Sequence, residues 1–170
     1  IDLVNFRHER TPSTQPFLRP ETDLVCYSIN WSKDLELIRD DIIALPPGVM
    51  TILGGRTATE NPCYWLEACP NVDAVVCGDG EQAIVEIAEG RDWSEVAGLT
   101  HRGGNGQLVH NPPRANAPLD DELMPARHFR RHPYYLTSKG VSTGITGDKV
   151  AGSSGCPYNC KFCSFGVNPW

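Results

Sequence analysis

Asp73-Ala74-Val75-Val76-Cys77-Gly78-Asp79-Gly80-Glu81 is the stretch on which the fold turns. An apolar run of strand length reaches Gly78-Asp79-Gly80, a turn, and a helix starts at once, with Asp79 and Gln82 spaced nearly as a capping box and Gly90 closing it. The same phrase occurs twice upstream. Val49-Met50-Thr51-Ile52-Leu53 ends on Gly54-Gly55, after which Asn61 caps a short helix with Pro62 in its first position, running through Trp65 and Leu66 to Cys69-Pro70. Further back, Asp23-Leu24-Val25-Cys26-Tyr27-Ser28-Ile29 is almost continuously apolar, as a strand covered on both faces should be. Ser32 is placed to cap the helix that follows. Leu35, Ile38, Ile42 and Leu45 share one face of it, and Pro46-Pro47-Gly48 stops it.

Three strand-helix alternations predict an α/β fold: a doubly wound parallel sheet joined by right-handed crossovers, with helices on both faces. Ile1 to Asn5 reads as the tail of a strand, so the sheet is expected to lack its first strand. Residues 6–22 carry three prolines and no periodicity, a loop. In such a sheet a ligand binds beyond the carboxyl ends of the strands. Those ends carry Ser28-Ile29-Asn30, Gly54-Gly55 and Gly78-Asp79-Gly80-Glu81, each with a small residue where backbone could approach a ligand closely. Small residues after strands are also ordinary turn chemistry, and the spacing alone leaves both readings open.

Seven cysteines divide into two groups. Cys26, Cys63, Cys69 and Cys77 are scattered through apolar or helical segments and read as buried small hydrophobes. Cys156, Cys160 and Cys163 are clustered in Gly155-Cys156-Pro157-Tyr158-Asn159-Cys160-Lys161-Phe162-Cys163. Three soft thiolates so close together suit a multi-iron cluster or a single metal ion. A four-iron cluster held by three of them keeps one iron open to a small molecule, the property that separates a reactive metal site from a closed structural one. Zinc completed by a histidine is the other metal reading, although no histidine lies within twenty residues of Cys156; a disulfide loop would want an oxidising compartment.

The C-x3-C-x2-C run, with Gly-Cys-Pro at its start and Phe162 before its last cysteine, resembles the cluster loop of radical S-adenosylmethionine enzymes. The resemblance implies a 4Fe-4S cluster on Cys156, Cys160 and Cys163. It further implies S-adenosylmethionine chelated at the open iron, with Phe162 packing near the adenine. Ser28, the Gly54-Gly55 pair and Val75 to Glu81 are similar to the cobalamin-binding domain that precedes the barrel in many of these enzymes. This implies a Rossmann/flavodoxin-like domain in which Ser28, Gly54, Gly55, Gly78 and Glu81 contact cobalamin. The D-x-H-x-x-G motif of cobalt-ligating relatives is not visible, and His8 is not promoted to that role.

Residues 98–131 fit the same resemblance: two short strands about Gly103-Gly104-Asn105-Gly106 suggest a hairpin, and a Pro-rich extended linker follows. The expected organisation is a cobalamin-binding-like domain over 1–97, hairpin and linker over 98–133, and the beginning of a radical S-adenosylmethionine barrel over 134–170. The implied activity is methyl transfer to an unactivated carbon, through a 5'-deoxyadenosyl radical and methylcobalamin. A cobalamin-dependent rearrangement or cyclisation, a cobalamin-binding module and a zinc-stabilised interaction protein are the alternatives. A barrel would need roughly 150–200 residues beyond Trp170, so a piece of a longer enzyme without turnover of its own is expected.

Composition bounds the remaining possibilities. Hydrophobic residues make up 40% and charged ones 21%, with no apolar run near the roughly 18 residues of a membrane span, so a cytoplasmic protein is expected. A net charge of −6 argues against nucleic acid as a partner, and Arg127, Arg130 and Arg131 read as a solvated face. The expected partners are a small-molecule or peptide substrate and an external electron donor.

Overall fold

The computed structural model describes residues 1–6, 9, 11–30, 33–115, 126–139 and 141–148. Three parallel strands, β1 (Leu24–Ser28), β2 (Met50–Gly54) and β3 (Ala74–Val76), lie side by side in chain order. Leu24 pairs with Met50, Ser28 with Gly54, and Ile52 with Ala74. Helix α1 (Leu35–Ile43) joins the first two strands, and α2 (Arg56–Glu60) and α3 (Pro62–Ala68) join the next two. After β3 comes α4 (Glu81–Ala88).

The sheet is mixed rather than parallel throughout. Strand β4 (Leu99–Arg102) runs antiparallel to β3, and β5 (Leu108–His110) antiparallel to β4. The hairpin expected ahead of the linker is thus stitched onto the sheet. The reason is local: residues 89–98 return to the end that β3 has just left, so β4 enters there, with Leu99 opposite Val76 and the Cys77 amide donating to Gly98 O at 2.7 Å. Antiparallel pairing needs no crossover helix.

Alternation along the strands divides the core into two layers. Leu53 and Val75 face α1 and α3, packing with Ile42, Trp65, Leu66 and Val72. Ile52, Ala74 and Val76 face the other way, against Ala83 and Ile87 of α4 and against Val96 and Leu99. Both faces are covered, which is why β2 and β3 read as unbroken apolar runs. Ile42 and Leu45 are buried as the helical spacing predicts, with Leu35 and Ile38 packed at the margin. Asn61 caps α3, its Oδ1 accepting from the Tyr64 amide at 3.2 Å, and Pro62 follows in the first turn.

Several expectations are corrected. Asp34, at φ 62°, precedes α1 without a side-chain cap, and Ser32 lies outside the described residues. The near capping box of α4 does not form: Gly80 takes the cap position with no side-chain bond. Helix α2 shows no apolar period in its five residues and is absent from the sequence reading; burial of Ala58 and Thr59 holds it in place. Cys69 and Cys77 are buried, but Cys63 is half-buried and Cys26 exposed. Cys26 shares the face of Ile52, its partner in register, and that face is open at β1.

The N-terminal residues form no strand of this sheet. They make a single bridge, Leu3 to Arg130. Arg130 pairs with Asp148 at 3.0 Å and Arg131 with Glu9 at 3.2 Å, while Arg127 also pairs with Asp148, so these arginines are ion-paired rather than a free solvated face. The loop before β1 is strapped down by Asp41, which accepts from the Thr14 amide (2.9 Å), the Thr14 hydroxyl (2.6 Å) and the Tyr27 hydroxyl (2.7 Å). Residues beyond the linker form a separate antiparallel pair, β6 (Tyr135–Ser138) and β7 (Val141–Thr146). Among the described residues no helix is long and apolar enough to cross a membrane.

Candidate functional site at the carboxyl edge of the sheet

Parallel strands deliver their carboxyl ends to one edge, and this edge collects five of the residues singled out in the sequence. Ser28 stands opposite Gly54 in register, and Gly55 follows immediately. Gly78 lies just past β3, and Glu81 opens α4 in its first turn. Ser28, Gly78 and Glu81 are exposed, and Gly54 and Gly55 are half-buried. The remaining predicted residues, Phe162, Cys156, Cys160 and Cys163, lie outside the described residues.

The glycines at this edge have different reasons for being glycine. At Gly55, φ is 86° and ψ 168°, and a Cβ would stand 2.8 Å from both the amide N and the carbonyl O of Ile29. The chain itself excludes a side chain there. Gly54 has room, its nearest neighbour being Val76 O at 3.9 Å. Gly78 has φ 94° and nothing within 4 Å of a built Cβ, so its turn faces open space. The Gly78 amide donates to Thr59 Oγ1 at 3.3 Å, which ties the turn after β3 to α2.

Asn30 is the residue sequence reading missed. Its Nδ2 donates to Ser28 Oγ at 2.9 Å, and its Oδ1 accepts from the Arg56 amide at 3.1 Å. One side chain therefore fixes the Ser28 hydroxyl and secures the start of α2. The signal was available: an asparagine just past a strand is a residue that bonds nearby backbone.

The turn after β3 is supported from below. Glu86, buried on α4, is held by Arg114 through two bonds, one of them from Nη1 at 3.3 Å, and by Arg91 at 3.0 Å. The hydrogen bonds from Arg114 hold the Glu86 carboxyl below the usual carboxylate range. Arg114 packs beside Gly98, the residue whose carbonyl takes the Cys77 amide. Burial pushes the Cys77 thiol upward, so it stays protonated. Among the described residues, no group of three or more His, Cys, Asp or Glu side chains could hold a metal ion.

The edge thus offers a hydroxyl, an open glycine turn and backbone, suited to accepting an extended polar tail rather than to acid-base chemistry. No family model matches the chain. It is 34% identical over 121 residues to the uncharacterized methyltransferase PH0819 of Pyrococcus horikoshii, covering 68% of this chain and 25% of that protein. It is 27% identical over 158 residues to the cobalamin-dependent radical SAM methyltransferase TokK of Streptomyces tokunonensis, covering 84% and 21%. The anaerobic magnesium-protoporphyrin IX monomethyl ester cyclase of Rubrivivax gelatinosus is 28% identical over 130 residues, covering 69% and 22%. The chain spans a quarter or less of the length of these relatives.

Proposed function

We propose, from the likeness to a methyltransferase of Pyrococcus and to the cobalamin-dependent radical SAM methyltransferase TokK, that this chain is the part of a cobalamin-dependent radical S-adenosylmethionine enzyme that presents cobalamin and begins the cluster-binding region. The observation that carries the reading is the open turn at Gly78, in line along one sheet edge with the exposed Ser28 hydroxyl. A ligand tail can approach backbone where no side chain intervenes. Ser28, held by Asn30, would bond the tail; Gly54 and Gly78 would admit it; Glu81 would stand at its rim. Gly55 serves by shaping the loop, since its own neighbours fill the space a side chain would take. The cobalamin-presenting unit would include the β4–β5 hairpin, which shares its sheet.

The donor set of Cys156, Cys160 and Cys163 suits a 4Fe-4S cluster with one open iron, where S-adenosylmethionine would bind beside Phe162. When bound, cobalamin supplies a transferable methyl group, and the cluster with S-adenosylmethionine supplies the means to open an unactivated C–H bond. The protein's part is to orient these groups and exclude water. A small-molecule or peptide substrate, an external electron donor and a reducing cytoplasm complete the proposal. The free cysteines Cys26, Cys63, Cys69 and Cys77 are in keeping with that compartment.

Bound corrinoid and iron, measured separately after anaerobic purification, test this. Gly78→Val should lower corrinoid and leave iron unchanged; Cys160→Ala should do the reverse. Corrinoid that is absent from the wild type, or indifferent to both Ser28→Ala and Gly78→Val, would remove the reading. The cyclase relative favours a second one, in which the reaction closes a ring without methyl transfer. Incubation of the full enzyme with methyl-labelled S-adenosylmethionine separates them, since only methyl transfer moves label into product.

A further inference from the structure

Beside the turn at Gly78, four side chains, from α3, β5, β4 and the residue just past β3, form one hydrogen-bonded file. Cys63 Sγ, in the first turn of α3, lies 3.7 Å from His110 Nε2 at the end of β5. His110 Nδ1 is 3.0 Å from the hydroxyl of Thr100, on β4 directly opposite it in register. Thr100 Oγ1 is in turn 3.6 Å from Cys77 Sγ, just past β3, and Cys77 directs its S–H toward Val75 O at 3.9 Å. The contacts along this file admit an arrangement of donors and acceptors that runs one way. With the Cys77 proton committed to Val75 O, its sulfur accepts from the Thr100 hydroxyl, whose oxygen then accepts from His110 Nδ1–H. That tautomer leaves His110 Nε2 as an acceptor facing the Cys63 thiol.

A thiol facing an imidazole acceptor whose second nitrogen is fixed by a third group is the arrangement that activates a nucleophile. We propose that Cys63 is a reactive thiol that forms a mixed disulfide with a low-molecular-weight disulfide of the glutathione type, with His110 as its base and Thr100 as a positioning residue. The step balances. His110 Nε2 takes the Cys63 proton, and the thiolate attacks one sulfur of the disulfide, forming a new S–S bond as the old one breaks. Cys63 is oxidised, and the departing sulfur is reduced and leaves as a thiol carrying the proton from His110. Access fits this role. Cys63 is half-buried and His110 exposed, whereas Cys69 and Cys77 are closed to reagents. An adduct on Cys63 would stand near the turn at Gly78, because Cys77 belongs to the same file and Thr59, just before α3, holds the Gly78 amide.

Incubating the intact protein with oxidised glutathione at pH 7 and mapping each cysteine by peptide mass spectrometry tests the assignment. Cys63 should carry the adduct, released by dithiothreitol, and His110→Gln should slow its formation about tenfold. The near-isosteric Thr100→Val, which removes only the orienting hydroxyl, should give an intermediate rate. A readout independent of any variant is iodoacetamide alkylation of wild-type Cys63, folded against urea-unfolded. Folding should make this half-buried cysteine faster, the reverse of simple shielding. Equal rates in wild type and His110→Gln, or a folded Cys63 no faster than the unfolded one, would overturn the proposal.

Discussion

Gly54-Gly55 after β2 and Gly78-Asp79-Gly80 after β3 are the same phrase in sequence, yet the structure uses them for opposite ends. At Gly55 the chain folds back so closely that the Ile29 backbone occupies the space a Cβ would need. At Gly78 the turn bulges away from the molecule and has no neighbour at that distance. The first glycine is demanded by the protein's own packing. The second is demanded by a positive φ, and the space beside it is open to a ligand. A glycine after a strand therefore points to a binding edge only when the space in front of it is empty. Of the two positive-φ glycines, Gly55 and Gly78, the one after β3 meets that condition.

The comparison breaks most sharply at Gly55. Gly55→Ala meets two backbone atoms at 2.8 Å and a φ, ψ pair essentially reserved to glycine. The expected loss is about 3–4 kcal/mol, from strain and overpacking together, measured by urea unfolding. A loss under about 1 kcal/mol would mean that the β2 turn is as free as the β3 turn, and the contrast would dissolve.

The β3 side depends instead on what lies beneath it. Arg114→Met leaves the buried Glu86 with Arg91 as its remaining charged partner and should cost roughly 3 kcal/mol at neutral pH. The Glu86 carboxyl is depressed in the folded protein. Its contribution is therefore present above the unfolded value of about 4.3 and is lost as pH falls through the lower folded value. The difference between wild type and variant should hold steady from pH 7 to about 5 and shrink below about pH 4. A difference independent of pH would assign the role of Arg114 to packing alone.

Much of this was legible in the residues. The near-continuous apolar runs at 24–29, 49–53 and 74–77 announced three strands, although the first, read as covered on both faces, is open on its Cys26 face, and the spacing of Ile38, Ile42 and Leu45 announced the face of α1. What could not be read was long-range. Nothing local says that Leu99 will pair with Val76 instead of leaving the sheet, since that depends on how residues 89–98 return. The meeting of Cys63 with His110, 47 positions apart, follows from the same pairing. The capping box at Asp79 failed for a nearer reason: Gly80 takes the cap position itself. The cysteines at 156, 160 and 163, the plainest chemical signal in the sequence, fall outside the described residues.

Gly78→Ala sharpens the contrast from the other side. A side chain there meets no atom, so the cost is the left-handed backbone alone, about 1–2 kcal/mol. Bound corrinoid should nonetheless fall, because the methyl group enters the space proposed for the ligand. Stability and binding thus separate at Gly78, whereas Gly55→Ala loses both together.

The smallest effect is expected at Asn61, behind the β2 turn. Its Oδ1 takes one of the otherwise unpaired amides at the start of α3, that of Tyr64, and Pro62 has no amide to leave unpaired. Asn61→Ala should therefore cost about 1 kcal/mol. Asn61→Asp keeps the acceptor and should recover most of it. Since α3 carries Trp65 and Leu66 into the layer that also holds Leu53 and Val75, fraying of its first turn loosens both turns from behind. Urea midpoints for the two variants decide this: if alanine and aspartate behave alike, the packing of Trp65 and Leu66 fixes α3 without help from the cap.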